Sequence, residues 1–393
     1  MNLSTAAQNT FQKYLEIYGV IPILSRSPGR VNLIGEHTDY NEGFVLPAAI
    51  DKAVYVAVGK RDDDNIELHS LEFSDTFKTT VSAIAPREGS WTNYVLGVVA
   101  QFQKRGHIIG GFNLVLDGEV PFGAGLSSSA AVECATAFAL NEAFGLNVPK
   151  EDLIFIAQKA EHEYAKVMCG IMDQFASMFG KKDHVVKLDC KTMDYEYVPL
   201  KLKGYKILLL NTNVKHSLSD SEYNVRRQQC EQGVSMLKAH HPDVESLRDV
   251  TMGMLEKYVA PTEPLIYKRC SYVVNEKQRL LEGCEDLKAG RLKDLGEKMF
   301  QTHDGLSQDY EVSCKELDFL VDAVRDNEAV LGARMMGGGF GGCTINIIKE
   351  EAIPDLVRNL SEAYKNAMGL ELTAYIAAIE DGTSIIDTNG LRN

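Results

Sequence analysis

The segment Gly29-Arg-Val-Asn-Leu-Ile-Gly-Glu-His-Thr-Asp-Tyr40 places Glu36, His37 and Asp39 within four positions, with Arg30 just upstream. A strand-like run of Val31, Leu33 and Ile34 ends at Gly35 and delivers these groups. Two carboxylates, an imidazole and a guanidinium against apolar neighbours are costly to bury unpaired. The set suits a ligand rich in hydroxyls, because carboxylates accept from OH groups and imidazole donates or accepts. An exposed polar turn after a strand is the alternative. The spacing matches none of the common metal-ligand motifs.

Pro121-Phe-Gly-Ala-Gly-Leu-Ser-Ser-Ser-Ala-Ala131 follows a strand pattern and opens a helix pattern. Gly123 and Gly125 allow close backbone approach. The serines can cap the helix, whose N-terminus offers free N–H groups and a positive dipole end, so the segment reads as a phosphate cradle. It is neither a Walker A loop nor a nucleophile elbow, since Gly-x-x-x-x-Gly-Lys-Ser/Thr and Gly-x-Ser-x-Gly are both absent. A plain capped helix is the alternative.

Glu151–Met168 reads as a helix with Leu153, Ala157, Ala160, Tyr164 and Val167 on one stripe and Glu161 at its edge. A rim carboxylate reaches solvent, or, beside a phosphate cradle, holds Mg²⁺ with a serine hydroxyl. Asp173 stands among Ile171, Met172, Phe175, Met178 and Phe179, where an acid needs a partner or a role. A first-turn position favoured by the helix dipole would also explain it. Gly337, Gly339 and Gly342 satisfy Gly-x-Gly-x-x-Gly, but a strand pattern follows them instead of a helix, which argues against dinucleotide binding. A glycine turn packed against a ligand or another backbone fits better.

The elements that must position these groups are irregular in order. Strand patterns run over Ala53–Lys60, Phe112–Leu116, Val185–Asp189, Lys206–Leu210, Cys343–Ile348 and Leu372–Ile379. Helix patterns run over Ala130–Phe144, Glu222–Ala239, Leu265–Ala289, Leu292–Thr302, Glu316–Asn327 and Ile353–Met368. This order predicts an α+β fold and not a doubly wound sheet. The 393 residues suffice for two or three domains, with a boundary expected between residues 180 and 205. A net charge of −14 argues against nucleic acid or an anionic membrane as partner. A polyphosphate ligand would therefore need focused positive potential or a metal ion. The eight cysteines form no Cys-x-x-Cys pair, no apolar run is long enough to span a membrane, and no secretory leader pattern opens the chain. Reduced thiols in a cytoplasmic protein are expected.

Taken together, these segments resemble the galactokinase family, within the superfamily of galactokinase, homoserine, mevalonate and phosphomevalonate kinases. Gly29–Tyr40 is similar to the galactokinase signature, and Pro121–Ala131 to the superfamily's ATP-binding loop. Cys169–Gln174, Gly337–Gly342 and Ser221–Asn224 with Arg226-Arg227 resemble further family stretches. The resemblance implies a two-domain α+β small-molecule kinase fold, divided as residues 1–190 and 191–393, with the active site in the cleft between domains. It implies phosphoryl transfer from ATP to the C1 hydroxyl of α-D-galactose, the entry to galactose catabolism. Asp173 and Arg30 would be catalytic. Glu36, His37, Thr38, Asp39, Gly170, Asp173 and Tyr223 would contact the sugar. Gly123, Ala124, Gly125, Leu126, Ser127, Ser128 and Ser129 would wrap the triphosphate, and Ser129 with Glu161 would hold Mg²⁺. A monomer is expected. N-acetylgalactosamine phosphorylation and a non-catalytic galactose and ATP sensor are the rival readings. The resemblance departs at Tyr272, where many relatives carry His, and no role is carried onto it.

Overall fold

The computed structural model describes residues 4–214 and 219–391. The side chain of Ser221, part of one family-like stretch, lies outside the described residues.

Six strands form the first sheet, in the order Ser384–Ile386, Ile23–Asn32, Pro47–Lys60, Phe112–Gly118, Asn65–Ser70 and Asp75–Thr80. All neighbours are antiparallel except Asn65–Ser70 against Phe112–Gly118. The period-2 alternation of a strand explains how both faces are covered. Val54, Val56 and Val58 point into the main core with helices Thr92–Lys104, Ser128–Phe144 and Lys150–Ala160. Ala53, Tyr55 and Ala57 point the other way, onto Phe11 and Tyr14 of helix Thr5–Tyr18.

A second, fully antiparallel sheet runs Val330–Met335, Cys343–Lys349, Tyr205–Asn211, Thr373–Ala377. It too is covered twice. Ile207 and Leu209 join the main core, while Leu208 and Leu210 pack with Leu320, Val324 and Leu360. A third sheet, Phe44–Val45, His184–Asp189, Tyr195–Pro199, flanks the first. The main core runs without a break from Val31 and Leu46 to Leu280 and Ile345. Strand Ser384–Ile386 returns the chain to pair with Leu24–Arg26 of the first sheet. The mixed α+β architecture read from the sequence is the one observed.

Two expectations change. The helix predicted over Glu151–Met168 is α-helical only to Ala160, continues as a π turn over Glu161–Ala165 and ends at Lys166 with φ 66°. Val167 and Met168 are therefore not helical. Helices Thr5–Tyr18 and Thr92–Lys104 and strands Asn65–Ser70 and Asp75–Thr80 were not read from the pattern. Asp75–Thr80 is an edge strand with no fully buried residue, so it lacks the alternating apolar signature. Among the described residues, no helix is long and apolar enough to cross a membrane.

Candidate active site

A cleft of about 820 Å³ gathers residues from both halves of the chain. Its walls come from the turn after Ile23–Asn32, the loop before helix Ser128–Phe144, helix Met172–Phe179 and the glycine-rich loop after Val330–Met335.

Arg30 lies at the centre. Its Nε and Nη2 donate to Asp173 Oδ1 and Oδ2 at 2.7 and 2.8 Å, and its Nη1 donates to the Gly125 carbonyl at 2.5 Å. Such a two-pronged guanidinium–carboxylate pair fixes orientation as well as charge. Asp173 occupies the first turn of Met172–Phe179, so the dipole reading and the partner reading both hold. The Ser127 hydroxyl donates to the same carboxylate. The Asp173 side chain keeps 24% of its surface exposed and lines the cleft.

Glu36 and His37 are buried, which removes the exposed-turn reading of this segment. Glu36 accepts from the Asn32 amide and the Gly337 N–H, and its carboxylate lies 3.4 Å from Arg334. His37 sits at φ 62°, a conformation that costs a non-glycine residue about 1–3 kcal/mol. Burial pushes its imidazole down to about 3, against a partial offset from the Gly338 carbonyl. Asp39 accepts from the N–H groups of Tyr40 and Met172, yet burial and the neighbouring Asp173 charge push it up to about 7. The Tyr223 ring lies 5.3 Å from the His37 ring and completes this end of the cleft.

Thr38, expected among the sugar contacts, does not line the cleft. Its hydroxyl donates to the Gly35 and Phe44 carbonyls at 2.9 and 2.5 Å and so holds the turn together. Gly170 stands behind Asp39: a Cβ there would fall 1.9 Å from Asp39 Oδ2. Gly170→Ala is therefore expected to displace the Asp39 carboxylate. For the substrates that the resemblance implies, the KM for the sugar should rise at least about tenfold, the cost of a lost charged hydrogen bond, while the KM for ATP stays within about twofold. Steady-state kinetics in both substrates check this.

The other end is built from backbone. Ser127, at φ 57°, precedes helix Ser128–Phe144 but does not cap it, because its hydroxyl turns to Asp173. The first-turn N–H groups are left facing the cleft, lined here by Gly123, Gly125, Leu126, Ser127, Ser128 and Ser129. Ala124 is fully buried beneath them. The glycine-rich loop abuts this cradle, since a Cβ on Gly337 would lie 3.3 Å from Gly125 Cα. A glycine turn packed close to a ligand or another backbone, the better reading of that motif, fits both its contact with Gly125 and its place in the cleft wall. An aromatic ledge missed in the sequence stands at the mouth: Phe122, part-exposed, packs on Phe73 at 5.0 Å between ring centroids, and Phe73 stacks on Trp91.

At the cradle's base the Ser129 hydroxyl donates to Glu161 Oε1 at 3.0 Å. Of the two readings of Glu161, the solvent-reaching one does not hold: its N–H still bonds the Ala157 carbonyl, so it stacks one turn beyond that buried residue and is only 7% exposed. Gln174 donates to its Oε2 at 2.8 Å and also to Glu133 at 3.1 Å. Burial and the Asp173 charge push Glu161 up to about 7. A hydroxyl and a crowded carboxylate beside a phosphate cradle are hard oxygen donors that fit Mg²⁺. Among the described residues no group of three or more His, Cys, Asp or Glu could hold a metal.

Arg334 was also missed. Fully buried, it donates to the carbonyls of Leu33 at 2.8 Å, Met335 at 2.5 Å and Asn32, besides facing Glu36. The signal was a single arginine inside an otherwise apolar strand, Val330–Met335. Tyr272, where the family resemblance departs, donates its hydroxyl to the Glu36 carbonyl at 3.0 Å.

Comparison with known proteins agrees with this geometry. Residues 12–60 match the galactokinase galactose-binding signature, residues 93–181 the GHMP kinases N-terminal domain and residues 284–366 the GHMP kinases C-terminal domain. The galactokinase of Thermotoga petrophila is 44% identical over 361 residues, covering 92% of this chain and 99% of the relative. That of Fusobacterium nucleatum is 40% identical, covering 95% and 98%. The crystal structure of Lactococcus lactis galactokinase complexed with galactose superposes with a TM-score of 0.92 at 34% identity, covering 96% and 98%. Methanococcus jannaschii mevalonate kinase, at 16% identity and a TM-score of 0.65, shares the fold. Identity of this extent over nearly the whole chain shows that it belongs to the galactokinase family of GHMP kinases.

Proposed function

We propose that this protein transfers the γ-phosphoryl group of ATP to the C1 hydroxyl of α-D-galactose, giving galactose 1-phosphate and ADP. The observation that carries the reading is the Arg30–Asp173 pair, set between a buried carboxylate-rich turn and an open helix N-terminus in one cleft.

Galactose lies against Glu36, His37, Asp39 and Tyr223. The carboxylates accept its hydroxyl protons, and Gly170 leaves Asp39 its place. The triphosphate lies along Gly123–Ser129, stabilised by the helix dipole and backbone N–H groups. Asp173 accepts the C1 hydroxyl proton as that oxygen bonds the γ-phosphorus and the bond to the β,γ-bridging oxygen breaks. Arg30 orients Asp173 and faces the charge that develops on the transferred group. Mg²⁺, held by Ser129 and Glu161, supplies neutralisation of phosphate charge when bound. These contributions answer locally the charge problem raised by the acidic chain. Residues 1–190 and 191–393 act as the two domains, with the last strand returning to the first sheet. We place the enzyme in the cytoplasm, working as a monomer; the eight free thiols support the compartment.

The decisive test is ADP release with MgATP and a panel of galactose, glucose, N-acetylgalactosamine, mannose and arabinose. Turnover on galactose alone is expected. Turnover mainly on N-acetylgalactosamine would replace the substrate, and binding without turnover would indicate a sensor.

Galactose binding should also depend on pH through Asp39. Its folded pKa near 7 means that the carboxyl holds a proton below that value and cannot then act as a pure acceptor. Affinity should weaken as pH falls from 7 to 6, approaching about tenfold per unit, and level off above about 8. Calorimetric titration with galactose alone checks this; an unchanged Kd between pH 6 and 8 contradicts it.

A further inference from the structure

Behind His37, on the side away from the cleft, a line of hydroxyl and thiol groups crosses from one half of the chain to the other. His37 Nδ1 lies 2.8 Å from the Tyr40 hydroxyl, which lies 2.7 Å from the Tyr310 hydroxyl, which lies 3.2 Å from the Cys230 sulfur. His37 Nε2 lies 3.2 Å from the Gly338 carbonyl. Tyr40 and Tyr310 do not line the cleft. Tyr310 is fully buried and cannot drift: Arg226 donates to its carbonyl at 2.8 Å, and its ring packs on those of Tyr272 and His37 at 4.9 and 5.0 Å.

The direction of this line follows from donor arithmetic. A backbone carbonyl only accepts, so Nε2 must carry the proton toward Gly338. A neutral imidazole then has Nδ1 as its acceptor, and Tyr40 must donate to it. The imidazole is neutral, since burial holds its pKa far below the working range. With its one proton committed, Tyr40 must accept from Tyr310, and Tyr310 in turn must accept from the Cys230 thiol. Reversing any link leaves two donors or two acceptors face to face.

Building on the sugar site proposed above, we infer that the Gly338 carbonyl sets His37 in the Nε2–H tautomer and that Tyr40 and Tyr310 are positioning residues that hold the ring there by donation to Nδ1, so that it meets a galactose hydroxyl only as a donor. The bond to Gly338, at 3.2 Å, is long enough for a sugar oxygen to share or replace. Glu36 and Asp39 supply acceptors on the same turn. His37 thus adds the one group of opposite sense, and the sugar must present an oxygen lone pair there. Because Tyr310 and Gly338 come from the C-terminal half, this donor is set only when the two halves are docked.

The test combines two-bond 1H–15N correlation spectra of uniformly labelled protein with steady-state kinetics. His37 is assigned by the signal lost in His37→Gln. The wild type should show a single neutral Nε2–H tautomer. Tyr40→Phe should keep the Nε2–H form but shift the Nδ1 resonance, which loses its donor, and raise the KM for galactose about 5- to 10-fold, the value of one hydrogen bond. The KM for ATP should stay within about twofold, and kcat should change less than KM. Tyr310→Phe keeps the ring and its packing, and should give the same pattern at smaller size. A wild-type Nδ1–H tautomer, or a Tyr40→Phe protein with an unshifted Nδ1 resonance and unchanged KM, overturns the proposal. The spectrum needs no sugar. A wild type with the expected tautomer but no galactose turnover would uphold the relay and overturn the sugar reading instead.

Discussion

Asp173→Asn should lower turnover with galactose by about 10²–10⁴-fold, the usual contribution of a positioned general base. Asparagine keeps the shape but cannot take a proton, so the C1 hydroxyl must lose its proton without help. Galactose affinity should change far less, because in the proposed mode Glu36, His37 and Asp39, which line the cleft, would hold the other hydroxyls. The variant also leaves the Arg30 guanidinium, only 5% exposed, with the Gly125 carbonyl as its remaining strong partner. A loss of about 1–3 kcal/mol in stability is expected from that, so kinetics should be taken well below the new melting temperature. Single-turnover measurements with saturating galactose separate the effects. A variant that binds galactose normally and turns over near the wild-type rate would remove Asp173 from the base role.

Arg334→Met should destabilise the fold by about 3–5 kcal/mol, the cost of removing one partner of a buried ion pair. Met has similar length and no donors. It strands three carbonyls, of Asn32, Leu33 and Met335, and leaves the Glu36 carboxylate buried with only the Asn32 amide and the Gly337 N–H. Arg334→Lys should recover only part of the loss, because an ammonium is a compact point charge that cannot span the fork of carbonyls. Denaturant titration gives the magnitude, and the KM for galactose should rise in both variants as Glu36 shifts. A change below about 1 kcal/mol in Arg334→Met would mean that the buried pair is nearly neutral in net stability, as some buried pairs are.

Much of the site was legible because its chemistry is local. Glu36, His37 and Asp39 share one turn, and Ser127–Ser129 share one helix start, so residue type and spacing alone exposed them. What stayed hidden depends on contacts distant in sequence. Glu36 meets the Gly337 N–H 301 residues away, and nothing near position 36 announces it. Arg334 meets Leu33 across the same separation, and Tyr310 meets Tyr40 across 270 residues. Glu161 was legible by helical spacing, since it stacks four residues after the buried Ala157, but the π turn that follows it and ends at Lys166 hid the fate of Val167 and Met168. Thr38 looked like a ligand because it stands among the candidate sugar contacts, but its hydroxyl closes the turn that presents them. In the fold, the strands with apolar alternation were readable, while the polar edge strand Asp75–Thr80 was not.

The most direct measurement is identification of the product by 31P and 13C NMR after incubation with MgATP and galactose labelled at C1. A phosphorus–carbon coupling at C1 of the α anomer, with one ADP formed per sugar phosphate, is the predicted result. Phosphate on any other carbon, or ADP released without a sugar phosphate, would contradict it.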